Sequence, residues 1–154
     1  MADPIKTDLA GRKEAAQKTF VMEEYEVIID RRLPFGILLA AGAYGFVNSH
    51  IREENFPEII FSQTGRRASV KLCGLYFNRE VSIPEALESM KCNNLRPASM
   101  IELFALGIAH PELQEQFPII APGTIYTEPV NGLDLVPLLS IKDGVRALNL
   151  DFFA

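Results

Sequence analysis

The chain has 154 residues, of which 48% are hydrophobic and 23% are charged. This length is typical of one domain, and these proportions exclude a disordered chain, which would carry fewer apolar and more charged residues. The formal net charge of −5 comes from the second half, because residues 81–154 hold 4 basic and 9 acidic side chains while residues 1–80 hold 11 of each. An acidic half is a poor partner for a phosphate backbone, so a nucleic-acid role would have to use residues 1–80.

Residues 1–19 are polar, which predicts a flexible or helical arm ahead of a single domain over residues 20–154. A secretory signal would show an apolar stretch here, and residues 1–19 contain none. Cys73 and Cys92 are too far apart for a CxxC pair and have no histidine at metal-ligand spacing. We therefore expect two buried free thiols in a cytoplasmic protein, without a metal or another cofactor.

The first predicted element is a strand over residues 20–30. Every second position here carries a large apolar or aromatic side chain: Tyr25, Val27 and Ile29. Acidic residues, Glu24 and Glu26, lie at positions between them, which is typical of a strand with one buried face and one solvated face. Several acidic residues form a strip, which we interpret as a solvated face, because a strand spreads carboxylates along one side instead of converging them on a divalent cation. The strip consists of Glu23, Glu24, Glu26 and Asp30.

The stretch over residues 33–51 carries no Asp, Glu, Lys or Arg. Pro34 suits the first position of a helix and Gly42 the position after its last, so we predict a helix between them. Its residues are apolar nearly all round, which predicts burial on most sides. A short strand is predicted over residues 44–51. Glycines in the middle of the stretch argue against a membrane-spanning helix, so we expect it to fold into the protein.

A hairpin is predicted from strands over residues 59–62 and 68–77, with a turn at residues 63–65. Four basic side chains lie in or just after this hairpin: Arg66, Arg67, Lys71 and Arg79. Together with the aromatic residues nearby they could bind a nucleic acid or an acidic protein. The alternative is a solvated hairpin whose charges resist pairing with another strand.

Two helices are predicted from their start signals. Ser82 precedes Glu85, and Ser99 precedes Glu102, each at the spacing of a capping box. In a capping box the hydroxyl accepts a hydrogen bond from a backbone amide while the carboxylate reaches back to the first residue. Both helices are therefore expected to begin just after their serine.

The same two helices have recognisable ends. The first ends at residues 93–94, and its predicted apolar face consists of Ile83, Ala86, Leu87 and Met90. The second ends or kinks at His110, because a proline follows it. A short turn over residues 111–117 is predicted next.

The last third of the chain predicts β structure. Strands are predicted over residues 119–121, 123–127, 135–141 and 145–153, with turn signals at residues 131–132 and 142–144. Prolines in and beside these strands predict edge positions or irregular pairing. The order of elements predicts an α+β fold, as a single compact domain with a mostly antiparallel sheet packed against two or three short helices.

Motifs with their own chemistry are absent. The sequence has no phosphate-binding, dinucleotide-binding, zinc-protease, hydrolase or dithiol signature. Its two histidines, His50 and His110, have no further ligands at zinc spacing. Ser49 and His50 could form a nucleophile and a base, but adjacent residues of a strand point to opposite faces. The sequence therefore predicts no catalytic residue and makes an enzyme the less favoured interpretation.

A large part of the sequence resembles a family of uncharacterised bacterial domains. The likeness extends over residues 33–150 and rests on the patterns RPAxxxEL, PxLQ and PI[IV]AxG. They are matched by Arg96-Pro97-Ala98, Glu102-Leu103, Pro111, Leu113-Gln114 and residues 118–123. The resemblance implies a bacterial protein and carries over no catalytic residue, because the family has no known activity. The chain departs from the family at its end, where it lacks a Trp-containing strand.

The segment that carries the resemblance also holds a candidate ligand site: Arg96, Glu102, His110 and Gln114. A contact between Arg96 and Glu102 would lock the loop before the second helix, and Gln114 would bond the backbone near Ile119. His110 would cap helix carbonyls or face solvent. A structural role and a ligand-orienting role both stay open for these residues.

Three hypotheses about function follow. The leading one is a non-catalytic interaction or assembly module with a protein partner or with itself, because apolar content is high, cofactor motifs are missing and prolines bound several strands. The second is a small-molecule-binding protein or enzyme with its site near Arg96, Glu102 and Gln114. The third is a nucleic-acid accessory protein that uses Arg66 and Arg67.

Overall fold

The computed structural model describes residues 20–57 and 66–153, and the fold of these residues is α+β, as the sequence predicts. They form four α-helices and two sheets of mostly antiparallel strands. The predicted arm over residues 1–19, the strand over residues 59–62 and the turn over residues 63–65 lie outside the described residues. Within the described part of the chain, no helix is long and apolar enough to cross a membrane.

The first sheet is a two-stranded ribbon. Strand β1 (Phe20–Asp30) pairs antiparallel with β3 (Arg67–Phe77) over the whole length of both strands. Phe20 lies opposite Phe77 at one end, and Asp30 lies opposite Arg67 at the other. Both strands were predicted to within one residue. Their pairing was not, because the sequence analysis paired residues 68–77 with the segment just before them.

The second sheet has five strands and is built around the pair β6 and β7. The order across the sheet is β2-β7-β6-β4, and β5 also lies beside β6. The strands are β2 (Phe46–Val47), β4 (Ile119–Ile120), β5 (Tyr126–Thr127), β6 (Asp134–Lys142) and β7 (Val145–Phe152). The four predicted strands of the last third are confirmed, although β4 and β5 are shorter than expected. Only two residues of the strand predicted over 44–51 pair with a neighbour, and they do so in parallel with β7.

A tight turn joins β6 to β7. Asp143 and Gly144 both have positive φ, at 51° and 79°. That conformation matches the twist of the flanking strands in a two-residue hairpin turn, and Gly144 adopts it without steric cost. The predicted turn at residues 142–144 is therefore confirmed.

Pro137 lies inside β6, although proline has no amide hydrogen for a neighbouring strand. Its carbonyl accepts a hydrogen bond from the amide of Ala121 at 3.1 Å. In an antiparallel sheet the nitrogen and the carbonyl of one residue point towards the same neighbouring strand. The nitrogen of Pro137, which has no hydrogen to donate, therefore faces the gap between β4 and β5. This placement agrees with the predicted irregular pairing.

Two of the four helices begin just after their serine, as predicted, while Pro34 precedes the first helix instead of opening it. The helices are α1 (Phe35–Ala41), α2 (Ile83–Cys92), α3 (Met100–Ala109) and α4 (Leu113–Gln116). The Ser82 hydroxyl accepts from the amide of Glu85 at 3.2 Å, and the capping box of Ser99 and Glu102 is present at the start of α3. The turn predicted over residues 111–117 was wrong in part, because it contains the helical turn α4.

Helix α1 corrects one expectation. It was predicted to be buried on most sides, but only Phe35 and Leu38 are buried, and Ile37 is 51% exposed. A short helix on the surface needs only one apolar stripe against the core. The apolar residues outside that stripe therefore remain in contact with solvent.

The core is centred on α3, which packs against β1, β6 and α1. Residues 100–107 of this helix are all buried. The ring of Phe104 meets that of Phe35 edge to face, with centroids 5.9 Å apart. Because α3 touches both sheets, it fixes the ribbon relative to the five-stranded sheet and creates the space beside β3 described next.

Candidate functional site

A groove of about 750 Å³ is bordered by β3, α2, α3 and residues 117–122. Small-molecule sites typically have volumes of roughly 300–1,000 Å³, so the groove is large enough to hold a ligand. Most of its lining is apolar. The apolar side chains include Leu72, Leu75, Ile83, Ala86, Met90 and Ile119.

Strand β3 contributes an edge to the groove. Residues 71–77 line it without interruption, although the side chains of a strand alternate between two faces. A continuous run of lining residues therefore means that the edge of the strand, with its backbone groups, borders the space. Among residues 20–57 and 66–153, β3 pairs only with β1, so none of these residues forms a strand on its other edge.

The register shows which backbone groups lie on that edge. Arg31 donates its amide to the carbonyl of Arg66 at 2.6 Å, and these two residues are directly opposite in the β1–β3 register. Hydrogen-bonded pairs alternate along an antiparallel ladder, so even-numbered residues of β3 bond to β1. The odd-numbered residues point their N–H and C=O outward. Those in the groove wall are Lys71, Cys73, Leu75 and Phe77.

Helix α2 contributes an apolar face. Ile83, Ala86 and Met90 all line the groove, and none of the helix's ten residues is fully buried. Helix α3 has the same length and has eight buried residues. The apolar face predicted for α2 is therefore real, but it borders open space instead of a packed neighbour.

Two tyrosines place a polar point in the lining. The hydroxyl oxygens of Tyr25 and Tyr76 are 2.5 Å apart, and the ring of Tyr76 lies 4.9 Å from that of Phe117. Burial, followed by the hydrogen bond to Tyr76, raises the pKa of Tyr25. The hydroxyl of Tyr25 therefore stays protonated at neutral pH and acts as a hydrogen-bonding group.

Arg96 and Glu102, which the sequence analysis placed in one site, form a bidentate ion pair in the lining. Arg96 Nη1 lies 2.9 Å from Glu102 Oε1, and Arg96 Nη2 lies 2.5 Å from Oε2. Ser99 donates its amide to the same carboxylate at 2.9 Å. The predicted contact is confirmed, and it ties the loop before α3 to the first turn of that helix.

The Glu102 carboxylate is held in its ionised form. Burial by itself would raise its pKa, because its side chain is only 4% exposed, but the hydrogen bonds from Arg96 and Ser99 outweigh burial and lower the pKa. Arg96 is 71% exposed, so its guanidinium also contacts solvent at the groove. This geometry stabilises a loop and leaves the carboxylate no proton to donate near neutral pH.

The remaining charges of the lining are unevenly paired. Arg79 forms an ion pair with Glu85, and Lys71 lies directly opposite Glu26 in the ribbon. Glu80 and Asp151 form no ion pair with any described residue, although Asp151 Oδ1 accepts from the amide of Phe152 at 2.8 Å. The formal charges of the lining balance, with Lys71, Arg79 and Arg96 against Glu80, Glu102 and Asp151. Glu80 and Asp151 are the lining carboxylates that form no ion pair with a described residue.

Gln114 lies outside the groove and corrects a second expectation. It was predicted to bond the backbone near Ile119, but its Nε2 donates to the carbonyls of Ser140 at 2.9 Å and Ala147 at 3.0 Å. Its Oε1 accepts from Arg146 Nη2 at 2.8 Å. Gln114 therefore fixes α4 against the β6–β7 hairpin.

Arg146 is part of that same structural centre. Its guanidinium donates to the carbonyls of Gly42 and Gly107 and lies 5.1 Å above the ring of Tyr44. Burial raises the pKa of Tyr44 to about 12, against the opposing effect of Arg146. Sequence analysis did not identify Arg146, because nothing in the local pattern reveals that distant segments supply the carbonyls it binds.

His110 is also separated from the groove. It ends α3, its Nε2 lies 3.4 Å from the carbonyl of Glu26, and its ring is 5.4 Å from that of Tyr25. Glu102 and His110 stand eight residues apart on one helix, which is roughly 12 Å at 1.5 Å per residue. The structure thus brings Arg96 and Glu102 together and does not bring His110 or Gln114 to them.

The predicted basic patch is interleaved with acidic groups. Arg67 lies opposite Asp30, and Lys71 lies opposite Glu26. Arg79 is paired with Glu85, while Arg66 contributes its carbonyl to the end of the ribbon. Arg79 is thus the one residue of the patch with an ion pair among the described residues, and the acidic groups opposite Arg67 and Lys71 weaken the field that a phosphate backbone would meet. Binding of nucleic acid by these residues stays a prediction.

The acidic strip of β1 is a row of carboxylates along the ribbon. Asp30 is bound by Arg32, and hydrogen bonds from Arg32 lower the pKa of Asp30 to about 2 despite partial burial. Glu23 accepts from the hydroxyl of Tyr25 at 3.2 Å. Within the described residues, no cluster of three or more His, Cys, Asp or Glu side chains is arranged to hold a metal ion.

Ser49 and His50 do not face each other across a reactive centre. His50 Nδ1 lies 3.4 Å from the hydroxyl of Tyr126 instead. Tyr126 packs its ring against Phe56, with centroids 5.6 Å apart. His50 therefore belongs to an aromatic cluster at the rim of the core.

Both cysteines are free thiols, as expected, but their burial was overestimated. Cys92 is exposed at the end of α2, and Cys73 is partly buried on β3. Burial, with a smaller contribution from Glu24, raises the pKa of the Cys73 thiol. The sequence could not give the exposure of Cys92, because it depends on which distant segments pack against α2.

Comparison with protein family models, with curated proteins and with solved structures found no match to this chain. The resemblance to an uncharacterised bacterial family therefore stays a prediction. The candidate site rests on the groove itself, and on the Arg96–Glu102 pair within it.

Proposed function

We propose that this protein is a non-catalytic interaction module and that the groove receives an apolar segment of a partner protein. One observation carries the proposal: the apolar face of α2 and the edge of β3 away from β1 border the same groove, which the described residues leave open. Apolar surface that the described part of the chain leaves uncovered in this way is typical of interaction sites.

The charged groups of the lining support binding in preference to proton transfer. Glu102 is held ionised by Arg96 and Ser99, so it is a poor general acid at neutral pH. Arg96 is engaged on both of its terminal nitrogens by that carboxylate. These residues shape one wall of the groove and keep it rigid for a ligand.

The cytoplasm is the compartment that we propose for this module. Cys92 is exposed and Cys73 is partly buried, and both are free thiols. An accessible free thiol persists in a reducing environment and tends to be oxidised outside one.

The experiment is a binding titration with a panel of blocked peptides in which apolar residues alternate with polar ones. We expect several peptides to bind the full chain, and we expect Ala86→Glu, which places a carboxylate in the apolar lining, to abolish binding. Ala40→Glu is the matched control, because Ala40 is an exposed residue of α1 away from the groove. Circular dichroism and the unfolding midpoint verify that both variants fold.

A small-molecule-binding protein is the second candidate, since the groove volume of about 750 Å³ also suits such a ligand. The anionic dye 1-anilinonaphthalene-8-sulfonate serves as the probe. Dye binding that is lost in Ala86→Glu, with no binding of any peptide, would overturn the interaction module in favour of this candidate.

A further inference from the structure

We infer that the partner segment binds as an added strand on the open edge of β3, as an extended stretch with alternating apolar residues and at least one Lys or Arg. This inference rests on the proposed function and goes beyond it by naming the mode of binding and the chemistry of the partner. It combines three features of the groove: a strand edge that no described strand pairs, a wall of defined length, and two carboxylates, Glu80 and Asp151, that form no ion pair with a described residue.

The open edge of β3 is unprotected where it faces the groove. Proteins usually guard exposed strand edges with charges, prolines or bulges, because unpaired N–H and C=O groups recruit other strands. Residues 72–77 contain neither a charged residue nor a proline, and they pair with β1 in unbroken register. Lys71 is the one charge of the wall, at its beginning. An edge of this kind is suited to strand addition by a peptide.

The outward backbone groups set the pattern that a partner must match. Lys71, Cys73, Leu75 and Phe77 each present an N–H and a C=O to the groove. From residue 71 to residue 77 a strand rises by roughly 20 Å at about 3.3 Å per residue. A partner segment of about seven residues would span this wall, with alternate amides bonded to β3 and alternate side chains directed at α2.

Charge complementarity selects a basic segment. Arg96 and Arg79 are each neutralised by a glutamate, and Lys71 faces Glu26 across the ribbon. The carboxylates of Glu80 and Asp151 have no cationic partner among the described residues. A lysine or arginine of the partner would find a counter-charge there, while an acidic residue would be repelled.

The same charges argue against a second copy of this chain as the occupant. Two copies that paired through β3 would each bring Glu80 and Asp151 to the shared interface. The whole chain carries a net charge of −5, which adds to the repulsion. A different protein with a basic, extended segment is therefore the occupant to which the geometry points.

The test uses one peptide from the panel, of about seven residues with apolar residues alternating with polar ones and one lysine, and two N-methylated versions of it. One version is methylated at the odd-numbered amides, and the other at the even-numbered amides. Alternate amides of a strand face the same neighbour, so we expect one version to lose about tenfold or more in affinity and the other to lose little. Equal affinities for the two versions would overturn strand addition.

A second arm tests the charge. Replacing the peptide's lysine by glutamate should weaken binding by about tenfold at low salt, and the difference should shrink as salt is added. Glu80→Gln combined with Asp151→Asn should remove most of the preference. Glu88→Gln is the control, since Glu88 is exposed on α2 outside the lining. A preference that survives the double variant contradicts the charge assignment.

A third arm identifies the occupant. A chain that starts at residue 20 should bind the peptide as tightly as the full chain. If the truncated chain bound the peptide about tenfold more tightly, residues 1–19 would be the occupant of the groove in the full chain. That result would overturn the inference that the groove receives a separate partner protein. Failure of every peptide to bind would remove the proposed function itself. Peptide binding with equal tolerance of both methylation patterns would remove only the strand-addition inference.

Discussion

Helices α2 and α3 begin with the same signal and have the same length, yet they serve the molecule differently. Each has ten residues after a serine that is followed three positions later by a glutamate. Residues 100–107 of α3 are all buried between the two sheets. No residue of α2 is fully buried, although its apolar face is well formed.

The contrast shows that the apolar face of a helix can line a binding groove instead of packing into the core. In α3 the apolar residues are packed at core density and set the fold. In α2 the equivalent residues border the groove beside the open edge of β3. The difference between the helices is therefore a difference between structural and binding surface, and mutations should separate the two.

The largest effect should come from the centre of α3. Phe104 is 1% exposed and meets Phe35 edge to face. We expect Phe104→Ala to lower the free energy of unfolding by about 3–5 kcal/mol, because it removes a buried ring and leaves a cavity. Urea denaturation measures the change. A loss below about 1 kcal/mol would mean that α3 is not the packing centre.

The next effect concerns the ion pair that joins α3 to the groove wall. Arg96→Met leaves the Glu102 carboxylate buried without the guanidinium that pairs with it. We expect the free energy of unfolding to fall by about 2–3 kcal/mol at about pH 7. This loss is smaller than for a fully buried pair, because Arg96 is 71% exposed. Met keeps the length and apolar contacts of the side chain without its charge. Denaturation curves of both proteins measure the loss.

The pH dependence of that loss has a definite sign. The pKa of Glu102 is lowered below its ordinary value of 4.5 in the folded protein, so its stabilising contribution is present above pH 4.5 and is lost as the pH falls through the folded pKa. In Arg96→Met the hydrogen bonds and charge of Arg96 no longer lower the pKa of Glu102, so acid removes less stabilisation from the variant. The difference between the two proteins should therefore shrink on acidification, and a constant difference would contradict the assignment.

Removing the hydrogen bonds that cap α2 and α3 should lower the free energy of unfolding by less than the two preceding changes, and by different amounts for the two helices. The Thr124 hydroxyl accepts from the amide of Met100 at 2.9 Å, and both residues are buried. Thr124→Val leaves that amide unpaired away from water and should cost about 1–3 kcal/mol. Ser82→Ala removes the exposed cap of α2 and should cost about 1 kcal/mol or less. Thermal denaturation of both variants measures the two costs, and the reverse order would contradict the assigned burial of the two helix starts.

The smallest effect on stability is expected on the groove face of α2. Met90 is only partly buried, so Met90→Ala should lower the free energy of unfolding by about 1 kcal/mol or less. The same change should weaken peptide binding, because Met90 lines the groove. Ile101→Ala, which changes a buried residue of α3 outside the lining, should lower the free energy of unfolding more and leave peptide affinity nearly unchanged. If Met90→Ala destabilised the fold as much as Ile101→Ala, α2 would be a core helix.

Local signals in the sequence were sufficient for most elements. The alternation over Phe20–Asp30, the two serine caps and the turn at Asp143 and Gly144 each depend on residues a few positions apart. They were predicted because propensity, capping and turn geometry act at short range. The α+β class follows from the order of such elements.

Long-range features were predicted only in part. The pairing of β1 with β3 joins segments that are far apart in the chain, and the carbonyls bound by Gln114 and Arg146 come from distant loops. The Arg96–Glu102 pair was predicted because six positions separate its partners. The groove was not predicted, because the exposure of α2 depends on how segments distant in the sequence pack around it.

Amide hydrogen exchange along β3, measured by nuclear magnetic resonance on the full chain, tests the groove edge most directly. In the free protein the amides of Val70, Leu72, Gly74 and Tyr76 should exchange slowly because they bond to β1, while those of Lys71, Cys73, Leu75 and Phe77 should exchange fast. A bound peptide should slow the second set and leave the first unchanged. Equal protection of all eight amides in the free protein, or no change in the second set with peptide bound, would contradict an open edge that receives a partner strand.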